Sequence, residues 1–195
     1  AQFPDADLLE RQRGLAEHIR KYSLARLPEL LEQLERKLTE NGVQVHWAEN
    51  PEQANRIIID IARRHSTRLM VKGKSMVSEE IELNHAMADA GMEALESDMG
   101  EYIVQLDGEK PSHIIMPAIH KTKQQIARLF AEKVPGAAYT DSVDELIGIG
   151  RAVLREKFMT AEIGLSGVNF AVAETGTLCL VENEGNGRMC TTVPD

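Results

Sequence analysis

Cysteine is scarce in this chain: Cys179 and Cys190 are the only two in 195 residues. They form no C-x-x-C pair and have no third or fourth companion, which excludes a zinc or iron–sulfur site built from this chain alone. Two small reduced thiols are the expectation. Aromatic residues are also few, at 4%, so no platform for stacking bases is visible. Basic residues are outnumbered, 22 Lys and Arg against 31 Asp and Glu, for a formal net charge of −9. That balance argues against a nucleic-acid partner and against adsorption to an anionic membrane. No apolar run approaches the ~20 residues of a membrane span, and Ala1-Gln2-Phe3-Pro4-Asp5 lacks the basic start and apolar stretch of a signal peptide. A cytoplasmic protein is expected. Neither a P-loop nor a strand-borne G-x-G-x-x-G occurs, which disfavours NAD.

What is present is ordinary globular material, 43% hydrophobic and 27% charged. Leu24, Leu27, Leu30, Leu31, Leu34 and Leu38 recur at three- and four-residue steps, predicting helix through the first forty residues, closed by Asn41-Gly42. The alternation of Val43 to Trp47 predicts a strand. Asn50-Pro51 opens a helix with its apolar face on Ala54, Ile57, Ile58 and Ile61. Further strands are expected at Arg68–Val71, Met92–Glu96 and His113–Met116. Helices are expected from a Ser78 cap to Gly91, over Lys121–Glu132 and over Val143–Phe158. Met70, Met76, Met87 and Met92 read as core filler. Strands separated by helices imply an α/β fold, a mostly parallel sheet with helices on both faces. The division expected is a helical extension, residues 1–42, and an α/β domain, residues 43–195. The chain stops in mid-texture at Val193-Pro194-Asp195, as the front part of a longer protein would.

Two constellations carry chemistry. In Val71-Lys72-Gly73-Lys74-Ser75-Met76, strand alternation sends Lys72 and Lys74 to one side at a strand end, where open α/β sheets bind ligands. Two ammoniums, Ser75 and helix-start amides suit a carboxylate or phosphate; the competing reading is a solvated lysine pair. From Gly164 to Arg188 the chain is rich in glycine, Asn, Thr and Glu. That pattern suits wrapping a polar ligand between loops, against plain turns. Asp98 and Glu101, on either side of Gly100, could add carboxylates. His46, His85, His113 and His120 stand singly and read as packing or surface residues.

The strings Val71-Lys72-Gly73-Lys74-Ser75-Met76-Val77-Ser78-Glu79-Glu80, Asp98-Met99-Gly100-Glu101-Tyr102, Pro117-Ala118-Ile119-His120-Lys121, Asn169 to Gly176 and Asn183-Glu184-Gly185-Asn186-Gly187-Arg188 together resemble the LUD domain of LutB-type proteins of L-lactate utilisation. The resemblance runs from about Val43 to the C-terminus. It implies a fold similar to the NagB/RpiA/CoA-transferase-like group. It also implies a substrate- or partner-binding role in a complex that oxidises L-lactate to pyruvate, with the complex's other subunits as partners. The family's [4Fe–4S] clusters lie in a C-terminal ferredoxin-like region, so no cofactor is expected in these 195 residues. By motif position, Lys72, Lys74 and Ser75 would form one wall of a cleft for a small carboxylate. Asn169, Glu174, Thr175 and Gly176 would form a second wall, with Asn183, Glu184, Gly185, Asn186 and Arg188 as lid or floor. Two alternatives compete: a CoA-transferase-like enzyme with Glu184 as nucleophile, and a non-catalytic scaffold domain.

Overall fold

A computed structural model describes residues 5–182 and 184–194. Along the chain come α1 (Ala6–Ala25), α2 (Leu27–Glu40), α3 (Pro51–Arg64), β1 (Leu69–Lys72), α4 (Met76–Glu80), α5 (Leu83–Asp89) and β2 (Glu93–Glu96). Then follow α6 (Met99–Asp107), α7 (Lys123–Lys133), α8 (Val143–Thr160), β3 (Ile163–Leu165), β4 (Phe170–Val172), β5 (Thr177–Cys179) and α9 (Asn186–Thr192). These fall into two compact units, residues 1–46 with 169–179, and residues 47–168 with 180–195.

The larger unit is built on a parallel sheet of order β2-β1-β3. Strand alternation divides its core in two, so helices cover both faces as the sequence predicts. Leu69, Val71 and Leu95 face a cluster that includes Tyr102 and Ile103 of α6, Phe130 of α7, Leu154 and Phe158 of α8 and Cys190 of α9. Met70 and Ala94 face the opposite cluster, with Ala62 of α3 and Leu83 and Met87 of α5. Complete burial of Val71, Met70 and Leu83 contributes about 1.5–3 kcal/mol each. Met92 joins this core, whereas Met76 is 41% exposed, so only part of the methionine expectation holds. The outer edge of β2 is held by Gln105 of α6, whose Oε1 accepts from Glu96 N at 3.0 Å and whose Nε2 donates to Ala94 O at 2.7 Å. Helix α9 lies directly on β3, because the Cys190 carbonyl occupies the place where a side chain on Gly164 would stand. Glycine is the residue that permits this approach.

In the smaller unit, β4 and β5 form an antiparallel hairpin with Phe170 opposite Cys179 and Val172 opposite Thr177. Its turn is fixed against the end of α2. Asn41 Nδ2 donates to Thr175 O at 2.9 Å, and Gly176, at φ +70°, leaves no room for a Cβ beside Lys37 and Leu38.

Four local expectations are corrected. The leading helix breaks at Arg26, since Pro28 in the first turn of α2 cannot continue an incoming helix. Val43–Trp47 forms no strand; Val43 N instead donates to Leu38 O and closes α2. The helix expected from Ser78 is two helices. Ser75 caps the first, Glu82 at φ +52° precedes the second, and Asn55 Nδ2 satisfies the Ile81 carbonyl at 2.7 Å. His113–Met116 is a loop, because His113 Nδ1 accepts from the backbone N–H groups of Ile115 and Met116 at 3.1 Å, and no strand lies alongside. By contrast, the Asn50 cap holds as read, its side chain accepting from Gln53 N at 2.9 Å.

Candidate functional site

Lys72 ends β1, Glu96 ends β2, and the parallel register sets them side by side. With 1% and 8% of their side chains exposed, the Lys72 ammonium lies 2.5 Å from Glu96 Oε1. Asn84 Nδ2, from α5, donates to the same oxygen at 2.8 Å. Ser97 fastens the two strand ends, with its N–H and Oγ both donating to Lys72 O, at 3.0 and 2.8 Å. A buried ion pair of this kind is tolerated only with close geometry and added hydrogen bonds, both of which are present.

Glu101, in the first turn of α6, completes the cluster, with 3% of its side chain exposed. Its carboxyl is pushed up to about 8, first by burial, then by the Glu96 charge and a hydrogen bond to Glu96; Asp98 adds to the rise and Lys74 opposes it. Two carboxyl groups can share a hydrogen bond only if one holds a proton. Among the described residues no other group donates to Glu96 Oε2 or Glu101 Oε2. Lys74 lies 3.6 Å from Asp98 and 3.9 Å from Glu101. Asp98 in turn lies against Glu184, whose carboxyl is moved up by burial, the Asp98 charge and a hydrogen bond to Asp98.

Above this floor opens a cleft of about 660 Å³, in the range of small-molecule sites. Its other wall comes from the end of α6 and the loop after it, Gly108 to Ile114. That loop is tied back on itself. Lys121 pairs with Asp107 and Glu109, His120 Nε2 lies 2.7 Å from Glu109, and Ser112 Oγ lies 2.7 Å from His120 Nδ1.

The residues expected from the sequence are distributed unevenly. Lys72 is taken up by Glu96 and Lys74 by Asp98 and Glu101, so both ammonium groups are engaged by carboxylates of this chain. Ser75 Oγ caps α4 by accepting from Ser78 N at 3.3 Å. Gly73 and Gly187 bring the β1 loop and the start of α9 together, with a Cβ on Gly73 only 3.4 Å from Gly187 Cα. Glu184, Gly185, Asn186 and Arg188 therefore lie in the same unit as the lysines. Gly185 precedes α9, and the Arg188 N–H donates to Glu182 at 2.7 Å. Asn183 lies outside the described residues. Asn169, Glu174, Thr175 and Gly176 belong to the hairpin unit, where Asn169 N donates to Cys179 O and Thr175 and Gly176 are bound to the end of α2.

A family model described as the LUD domain matches residues 31–195. The chain belongs to the LUD domain family. Among curated relatives, it is 48% identical over 185 residues to the Escherichia coli (strain K12) electron transport protein YkgF. The same identity and length of match hold for lactate utilization protein B of Bacillus cereus (strain AH820) and of Bacillus thuringiensis (strain Al Hakam). In each case the match covers 95% of this chain but 39% of the relative, so the chain spans about two fifths of the length of these proteins. No solved structure matches.

The cysteines of this LUD domain do not fit the iron–sulfur clusters that the resemblance implies for the longer proteins. Cys179 sits on the hairpin, and Cys190 is buried on α9 with Sγ 3.5 Å from Ser97 Oγ. Among the described residues no group of three or more His, Cys, Asp or Glu side chains could hold a metal ion. No helix among them is long and apolar enough to cross a membrane. The composition reading missed the Glu96–Asn84 half of the cluster. The available signal was a charged residue closing each of two apolar strands, Lys72 and Glu96, since an ion ending an otherwise buried strand calls for a partner on its neighbour.

Proposed function

We propose that this chain is the LUD portion of an L-lactate utilisation protein and supplies that system with a binding site, the electron carriers residing elsewhere. The observation that carries the reading is the 48% identity, across 95% of the chain, to proteins named lactate utilization protein B. The paired lysines and carboxyls at the strand ends support a binding role, because they sit where parallel sheets present side chains to ligands. Its partners are then the other proteins of the same system.

A segment exchange tests the reading. The LUD segment of a Bacillus lactate utilization protein B is replaced by this chain, and growth is followed with L-lactate as sole carbon source. The exchanged protein is expected to restore growth to a strain lacking the original. Normal levels of a folded exchange protein without growth on L-lactate would overturn it.

A further inference from the structure

We propose that Ser112, His120 and Glu109 form a nucleophilic site on the wall of the cleft, where Ser112 takes the acyl group of a small, uncharged carboxylic ester. The three side chains touch in the order that a nucleophile, its base and an orienting carboxylate require. Ser112 Oγ lies 2.7 Å from His120 Nδ1, and His120 Nε2 lies 2.7 Å from Glu109 Oε2. The Lys121 ammonium, 2.6 Å from Glu109 Oε1, holds that carboxyl below its ordinary range, and the bond to His120 adds to this. A carboxylate only accepts, so Nε2 carries the proton of the neutral ring and Nδ1 is left to accept from Ser112. The serine hydroxyl has a second acceptor in reach, Pro117 O at 3.1 Å, but the imidazole is nearer.

Further observations point to a substrate rather than to a mere loop tie. Ser112 is exposed and lines the cleft of about 660 Å³, beside Pro111 and Ile114. The N–H groups of Ile115 and Met116 are taken by His113 Nδ1. Those of His113 and Ile114, directly after Ser112, have no hydrogen-bond partner among the described residues. Amides beside a nucleophile are the donors that steady the negative oxygen of an acyl-transfer intermediate. Charge narrows the substrate: five glutamates against two lysines line the cleft, which disfavours an anionic ester. In the reaction, Ser112 Oγ bonds to the carbonyl carbon as its proton passes to His120 Nδ1. That proton then leaves with the alcohol as the ester C–O bond breaks. Water repeats the exchange on the acyl-serine, releasing the acid and restoring the hydroxyl, so no oxidant or reductant takes part. The site does not rest on the lactate reading.

Diisopropyl fluorophosphate is the probe, because its phosphorus stands in for the carbonyl carbon and its fluoride leaves as the alcohol does. The 195-residue chain is incubated with it, and the modified peptide is identified by mass spectrometry. One diisopropylphosphoryl group is expected on Ser112. A His120→Gln protein with an unchanged circular dichroism spectrum should gain it at least about 100-fold more slowly. The unaltered chain should also hydrolyse 4-nitrophenyl acetate, and Ser112→Ala should fall to the rate in buffer alone. Absence of label on Ser112, or labelling of His120→Gln at the unaltered rate, would overturn the proposal. So would ester hydrolysis that survives Ser112→Ala undiminished.

Discussion

Lys72→Met is expected to destabilise the larger unit by about 3–5 kcal/mol, the usual cost of removing one partner of a buried ion pair. Methionine matches the lysine stem in length and leaves little void. The loss therefore comes from Glu96, which keeps its hydrogen bond from Asn84 but loses the ammonium 2.5 Å away. For a chain of this size, such a loss lowers Tm by roughly 10 °C or more. The double variant Lys72→Met with Glu96→Gln removes both charges and should regain most of the difference, because the strong coupling is between these two groups. Thermal unfolding followed by circular dichroism measures both. A Lys72→Met protein as stable as the original would show that the pair is not a buried, mutually dependent unit.

The second large effect is in the pH dependence of stability. In the folded chain Glu101 is pushed up to about 8 from an ordinary 4.5. A raised folded value means that the folded state holds a proton that the unfolded state has released. The resulting stabilisation is fully present below about 4.5 and is lost as pH rises through about 8. Within that window this group makes stability fall by up to about 1.4 kcal/mol per pH unit. Glu101→Gln cannot ionise and its amide still donates to Glu96, so it should remove the slope. The variant should melt well above the original protein at about pH 9, and the difference should shrink steadily toward pH 5. Parallel stability curves for the two proteins across that range would contradict the assignment.

How much of this was legible in the sequence depended on the range of the interactions. Local rules served well: Asn50 caps a helix where it was expected, and the apolar runs around Met70 and Leu95 are strands with helices on both faces. Pro28 was equally local, but the leucine spacing on either side of it suggested one helix. The alternation of Val43 to Trp47 failed for a different reason. A period of two is satisfied by any extended chain, and only a neighbouring strand turns extension into sheet.

The site was less legible because its partners are remote. Lys72 was recognisable at a strand end, but its charge is met by Glu96, which is brought alongside only by the parallel crossover through α4 and α5. Glu101 was noticed as a carboxylate in a loop-like string. Its burial follows from α6 packing over β2, which no local pattern states. The hairpin strings around Glu174 to Gly176 read as a ligand wall. Their glycine is also required by the close approach of α2.

The claim on which the site rests is that Glu96 and Glu101 form a buried acid pair holding one proton near neutral pH. The most direct measurement is a carbon-13 NMR titration of the glutamate side-chain carboxyls from about pH 4 to pH 10. The pair predicts one carboxyl resonance with a midpoint near 8, absent in Glu101→Gln. If every glutamate carboxyl has finished titrating by about pH 6, the shared proton does not exist.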